Sequence, residues 1–191
     1  CHQAQFLGKV DMLRQAEPGA VFLLNSIHGP NEVWAHMPAS VQEQIIEKQL
    51  RFYVIDAYAV AREAGLGRRI NTVMQTCFFA ISGLMPREEA IAAIKDAIQK
   101  SYSNRGEVIV QKNIEAVDRA LAHLHAVPLR SAPVNAPAPT PSVPDSAPPF
   151  VREVTAFMMA GLGDQLPVSK GPSDGTYPIG TARWEKRNIA Q

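Results

Sequence analysis

Ala20-Val21-Phe22-Leu23-Leu24-Asn25 and, further along, Phe52-Tyr53-Val54-Ile55-Asp56 decide the fold of this chain. Each is a continuous apolar run ending on a single polar residue. A strand with one wet face would alternate, so an unbroken run predicts a strand covered on both faces, as in a parallel sheet between layers of helix. The stretches around them carry helix signals. Gly29-Pro30 opens a short helix running through Trp34, with proline in the first turn where its missing amide costs nothing. Ser40-x-x-Glu43 has the spacing of a capping box and predicts a second helix start.

After the second run, residues 57–64 are helical by composition and stop at Gly65 and Gly67. The loop Gly65-Leu66-Gly67-Arg68-Arg69 leads into an apolar helix over about 72–82. Pro86 starts the next helix, in which Ile91, Ile94 and Ile98 form one stripe. Asn104-Arg105-Gly106 reads as a turn, and a last helix carries Ile114, Val117, Leu121 and Leu124 on one face. Strands come first and four helices follow, the order expected of an α/β layer architecture.

Composition then changes. Pro128, Pro133, Pro137, Pro139, Pro141, Pro144, Pro148 and Pro149 fall among Ala, Ser and Val. Such a stretch favours polyproline II and predicts an extended linker over 128–150. Beyond it, 151–159 reads as a short apolar helix ending near Gly161 and Gly163, and the remainder is rich in turn formers. No internal repeat is visible.

Charge excludes several classes. Nineteen basic and 18 acidic residues are interspersed and leave a net charge of +1, so no footprint for nucleic acid or an anionic membrane exists. No apolar run approaches the roughly 20 residues that span a bilayer, and the start lacks a signal-peptide plan, which predicts a cytoplasmic protein. The two cysteines, Cys1 and Cys77, make neither a disulfide framework nor the four-thiolate set of an iron-sulfur cluster. Cys77, within Thr76-Cys77-Phe78-Phe79-Ala80, reads as a small hydrophobe. His123 and His125 sit two apart on a predicted helix and face different ways, His28 and His36 flank a short helix, and His2 stands near the start; no metal site is predicted. No Gly-x-Ser-x-Gly elbow occurs, and Gly65-x-Gly67 lacks the third glycine of a dinucleotide fingerprint.

Two positions carry more. Arg68-Arg69 precede Asn71-Thr72 at a helix start, where amides and the helix dipole favour an anion; equally, Asn71 serves as an N-cap beside solvated arginines. Asn113, after Gln111-Lys112, is an amide in a helix apolar on one side, and reads either as an exposed helix residue or as a ligand contact.

Three stretches together resemble one enzyme family: Val41-Gln42-Glu43-Gln44-Ile45-Ile46 through Phe52-Tyr53-Val54-Ile55-Asp56-Ala57; Gly67-Arg68-Arg69-Ile70-Asn71-Thr72-Val73-Met74-Gln75-Thr76-Cys77-Phe78-Phe79; and Thr176-Tyr177-Pro178-Ile179-Gly180-Thr181 running into Trp184-Glu185-Lys186-Arg187-Asn188-Ile189-Ala190. Their order and spacing are similar to the middle of single-chain pyruvate:ferredoxin (flavodoxin) oxidoreductases. A start on Cys1 rather than Met, and an end just after the last motif, lead to the expectation of an internal piece. The resemblance implies an α/β class: a partial, Rossmann-like layered gamma-type domain over 1–127, a Pro-rich linker over 128–150, and over 151–191 a linker helix and the start of a short irregular Glu-Lys-Arg (EKR) domain. It implies an enzyme that oxidatively decarboxylates pyruvate with coenzyme A, using thiamine diphosphate, Mg2+ and [4Fe-4S] clusters, none of them bound by this segment, and passing electrons to ferredoxin or flavodoxin. It places coenzyme A contact at Asn71 and Asn113, with Arg69 and Lys112 as weaker phosphate contacts, and no catalytic residue here. Other domains of the same chain and a second copy, as a homodimer, are the remaining implied partners. The competing reading is a free-standing α/β binding or adaptor module with a tethered recognition tail.

Overall fold

The computed structural model describes residues 1–134 and 141–184. Strand β1 (Val21–Asn25) and strand β2 (Arg51–Ile55) pair in parallel, Val21 opposite Arg51 through Asn25 opposite Ile55, and helix α1 (Ala39–Glu47) is the crossover between them. A two-residue strand β3 (His125–Ala126) adds antiparallel to β2, giving a mixed sheet in the order β1-β2-β3. Both long strands fall on the apolar runs, and their alternating side chains feed two cores. Phe22, Leu24, Phe52 and Val54 join Trp34, Met37, Val41 and Ile45 in one cluster on the α1 side. Ile55 and the half-buried Leu23 face the other side.

That second side is built by helix α2 (Ala57–Glu63), helix α3 (Asn71–Ser82) and helix α5 (Glu107–Ala122), through Val60, Ala61, Val73, Met74, Cys77, Ala116 and Ala120. Helix α4 (Arg87–Tyr102) packs outside α5, with Ile94 and Ile98 against Val110 and Val117. The architecture is α/β. Polar groups at the strand ends tie the layers: Asn25 Oδ1 accepts from Ala57 N (2.9 Å), Asn25 Nδ2 donates to His2 O (2.9 Å), and Asp56 caps α2 by accepting from Ala59 N (2.9 Å). Glycine ends α2 as expected: Gly65 has φ +71°, and its neighbour Leu66 N reaches back to Ala61 O (2.8 Å).

Several local expectations are corrected. Helix α1 starts at Ala39, ahead of Ser40, and no side chain caps it; the carbonyl of Pro38 instead takes the amides of Val41 and Gln42 at 3.1 Å each. The helix expected from Pro30 is a 3-10 turn at Val33–His36. Helix α5 stops at Ala122 and His125 lies in β3, because Val127 N–H is drawn to Phe52 O (2.8 Å) at the sheet edge. The buried face of α5 runs through Val110, Asn113, Val117 and Ala120, rotated from the stripe that Ile114 and Leu121 predict, since small residues let α2 and α3 approach closely.

Within 128–134 and 141–149 the prolines are exposed, but residues between them attach to the fold. Proline cannot donate, but its carbonyl still accepts, and the intervening Val and Ala residues have apolar surface to bury. Trp34 Nε1 donates to Pro128 O (3.2 Å), and Ala147 N and Arg152 N bond to Pro144 O and Pro148 O (2.9 and 3.1 Å). The fully buried Gln42 is the clasp: its amide nitrogen donates to Trp34 O (2.8 Å) and Met37 O (2.9 Å), and its oxygen accepts from Val134 N (2.8 Å). Val143 and Ala147 form a small core with Val151, Ala156, Met159 and Trp184 around a π-helical turn, Val151–Thr155, that continues as helix α6 (Ala156–Met159). Arg14 grips Asp164 with two hydrogen bonds of 3.2 and 3.0 Å. Pro137 and Pro139, and the Glu-Lys-Arg motif at 185–187, lie outside the described residues. No helix among the described residues is long and apolar enough to cross a membrane.

Candidate functional site

The predicted residues converge where α3 begins. Gly65 and Gly67, both at positive φ, turn the chain after α2 and leave Arg68 and Arg69 exposed. Ile70 occupies the N-cap with its side chain in the core, so no side chain caps α3 and its first-turn amides keep their unused hydrogens. Asn71 is the first helical residue and is exposed. Its N-cap reading is therefore corrected: Ile70 has the anchoring side chain and claims the boundary, which leaves the Asn71 amide free to face solvent.

Helix α5 crosses beside this turn. Lys112 folds over the loop and packs closely on Gly65, where a methyl would sit 3.2 Å from Lys112 Cε and 3.3 Å from Nζ. Asn113 is 5% exposed, so the reading as an exposed helix residue is overturned. Its Nδ2 donates to Ile109 O (2.8 Å), one turn back, and its Oδ1 accepts from Thr72 Oγ1 (3.2 Å). An amide has two donor hydrogens and an oxygen with two lone pairs, so one hydrogen and one lone pair stay available. Thr72, adjacent to Asn71, thus links the two predicted positions. Sequence reasoning missed it; the available signal was Asn113 itself, because a polar side chain on a buried helix face requires a partner.

Around the start of α3 the chain thus places exposed Arg68, Arg69 and Asn71, the Lys112 side chain over Gly65, uncapped helix-start amides and the buried Asn113 carboxamide tied to Thr72. Such a set suits a ligand with both phosphate and amide groups. It does not suit a metal. Among the described residues no three His, Cys, Asp or Glu side chains converge. Cys77 is buried and burial pushes its thiol up to about 12, so it stays protonated and is a poor thiolate ligand. His28 and His36 stack face to face, ring centres 3.4 Å apart.

Residues 1–123 match the family model described as pyruvate ferredoxin/flavodoxin oxidoreductase, and residues 136–190 match the EKR model, described as a domain of unknown function. The chain is 55% identical over 190 residues to a putative pyruvate-flavodoxin oxidoreductase of Synechocystis, 48% identical over 191 residues to a probable pyruvate-flavodoxin oxidoreductase of Escherichia coli, and 40% identical over 190 residues to the pyruvate:ferredoxin oxidoreductase of Moorella thermoacetica. These alignments cover 99 to 100% of this chain but 16% of each relative. With a family model over most of its length and such identities end to end, the chain belongs to the pyruvate ferredoxin/flavodoxin oxidoreductase family.

Proposed function

We propose that this chain is part of an enzyme that oxidatively decarboxylates pyruvate with coenzyme A, giving acetyl-coenzyme A and CO2 and passing electrons to flavodoxin or ferredoxin in the cytoplasm. The substrate and acceptors are those in the relatives' names. Within that enzyme this segment contributes coenzyme A binding and domain docking, not reacting groups. The observation that carries the reading is the gathering of Asn71, Asn113, Arg69 and Lys112 around the start of α3. Asn71 and Asn113 offer donors and acceptors to an adenine edge or a pantetheine amide. Arg69 and Lys112 meet the phosphates.

The thiamine diphosphate, Mg2+ and [4Fe-4S] clusters that the family resemblance implies belong, in this proposal, to other parts of the enzyme. For the metal and the clusters this agrees with side chains that gather no three His, Cys, Asp or Glu among the described residues and with a buried, protonated Cys77 thiol. We further read 1–127 as a partial Rossmann-like gamma-type domain, 128–150 as the connecting segment and 151–191 as the start of the EKR domain, in an enzyme that works as a homodimer.

The test is steady-state kinetics on the full-length enzyme. Asn71→Ala and Asn113→Ala raise the KM for coenzyme A by about five- to tenfold, the value of one hydrogen bond to a ligand, and leave the KM for pyruvate within twofold. Unchanged coenzyme A kinetics in both variants would remove the site.

A further inference from the structure

We propose that Thr72 is a positioning residue that fixes the orientation in which Asn113 meets coenzyme A; this rests on the coenzyme A reading of the site. A carboxamide on a helix has two flips that differ only in exchanging nitrogen for oxygen. Ile109 O can only accept, so it draws Nδ2 to its side at 2.8 Å. That alone leaves the rest of the group free to swing about its own side-chain bonds. The second point of attachment is the Thr72 hydroxyl, 3.2 Å from Oδ1, which donates there because the oxygen only accepts. Held at nitrogen and oxygen together, the amide plane has one orientation, and its spare hydrogen and spare lone pair have fixed directions.

Thr72 is itself held. Its carbonyl accepts from Thr76 Oγ1 at 2.8 Å, and Thr76 is fully buried. The bond from Thr72 to Asn113 joins residues 41 apart in sequence and is the polar tie between the first turn of α3 and the middle of α5. Asn71, next to Thr72, therefore shares a rigid frame with Asn113. Without the hydroxyl, Asn113 keeps Ile109 but loses its second anchor, and a ligand that needs a set amide direction must order that amide on binding.

Two Thr72 variants of the full-length enzyme, alone and with Asn113→Ala, separate this from plain packing. Thr72→Val keeps the shape and deletes the donor; Thr72→Ser keeps the donor and deletes a methyl. Acetyl-coenzyme A formation is measured with coenzyme A and pyruvate varied separately. Thr72→Val is expected to raise the KM for coenzyme A about fivefold with the pyruvate KM unchanged, Thr72→Ser to stay within twofold of the parent, and Thr72→Val to add nothing to Asn113→Ala. Should the valine variant fail to fold, Thr72→Ala, a better helix former, takes its place. If Asn113→Ala weakens coenzyme A use but Thr72→Val or Thr72→Ala does not, or if Thr72→Ser is as damaging as Thr72→Val, the positioning role is overturned while the site stands. If neither asparagine variant affects coenzyme A, the site reading falls and this inference with it.

Discussion

Replacing Gln42 by Met tests how the proline-containing segment is held. Methionine matches glutamine in length and adds no cavity, so the change isolates three hydrogen bonds. Val134 N–H and Met37 O lose the partners at 2.8 and 2.9 Å, whereas Trp34 O keeps Met37 N at 3.3 Å. Of these three bonds, opening of 127–134 breaks only that of the half-buried Val134, so the segment loses the net value of one hydrogen bond, about 1 kcal/mol. Converted at about 1.4 kcal/mol per decade, local opening of the 127–134 segment becomes more frequent by about fivefold. Hydrogen exchange read by mass spectrometry on the full-length enzyme measures it, with peptides from α4 as the internal reference. Faster exchange in peptides covering 127–134 and 33–37, with α4 unchanged, is the expected result. Unchanged exchange across 127–134 would refute the clasp and return that stretch to a free linker.

Burial, opposed weakly by the charge of Arg87, pushes the Cys77 thiol up to about 12, leaving a thiolate fraction of about one in ten thousand at pH 8. Cys77 therefore stays unalkylated by iodoacetamide in native enzyme and reacts once guanidinium unfolds the chain; native labelling, located by mass spectrometry, would contradict the packing. The hydrogen bond from Arg14, and then its charge, hold the Asp164 carboxyl below the usual range. A carboxylate with a depressed folded value contributes stability above its unfolded value near 4 and loses it as pH falls through the folded value. Because both partners are substantially exposed, Asp164→Asn lowers the melting temperature only slightly at pH 7, and the difference from the parent vanishes in acid; a gap widening below pH 4 would reverse the sign of the argument.

The strands and the helix α3 were legible because their signals are local. An unbroken apolar run such as 20–25 has few other uses, and Gly65 ends α2 through its own positive φ. What escaped depends on partners distant in sequence. Ser40 has the right spacing for a cap, yet Pro38 supplies the acceptor first. His125 reads as helix until Phe52 O, across the sheet, claims the next amide. Gln42 gives no sign of its role, because two of its partners are backbone carbonyls and the third is an amide 92 residues away. At the site, the family motif pointed to Asn71 and Asn113, but only the packing of α3 on α5 reveals Thr72 between them and the folding of Lys112 across Gly65.

Hydrogen exchange of the full-length enzyme with and without coenzyme A, free of pyruvate, shows whether coenzyme A docks where α3 begins. Added coenzyme A is predicted to slow exchange in peptides spanning 65–76 and in those spanning 107–116, and to leave the 151–159 helix as it was. Protection absent from both the start of α3 and the middle of α5, under conditions where coenzyme A is bound, would contradict the account.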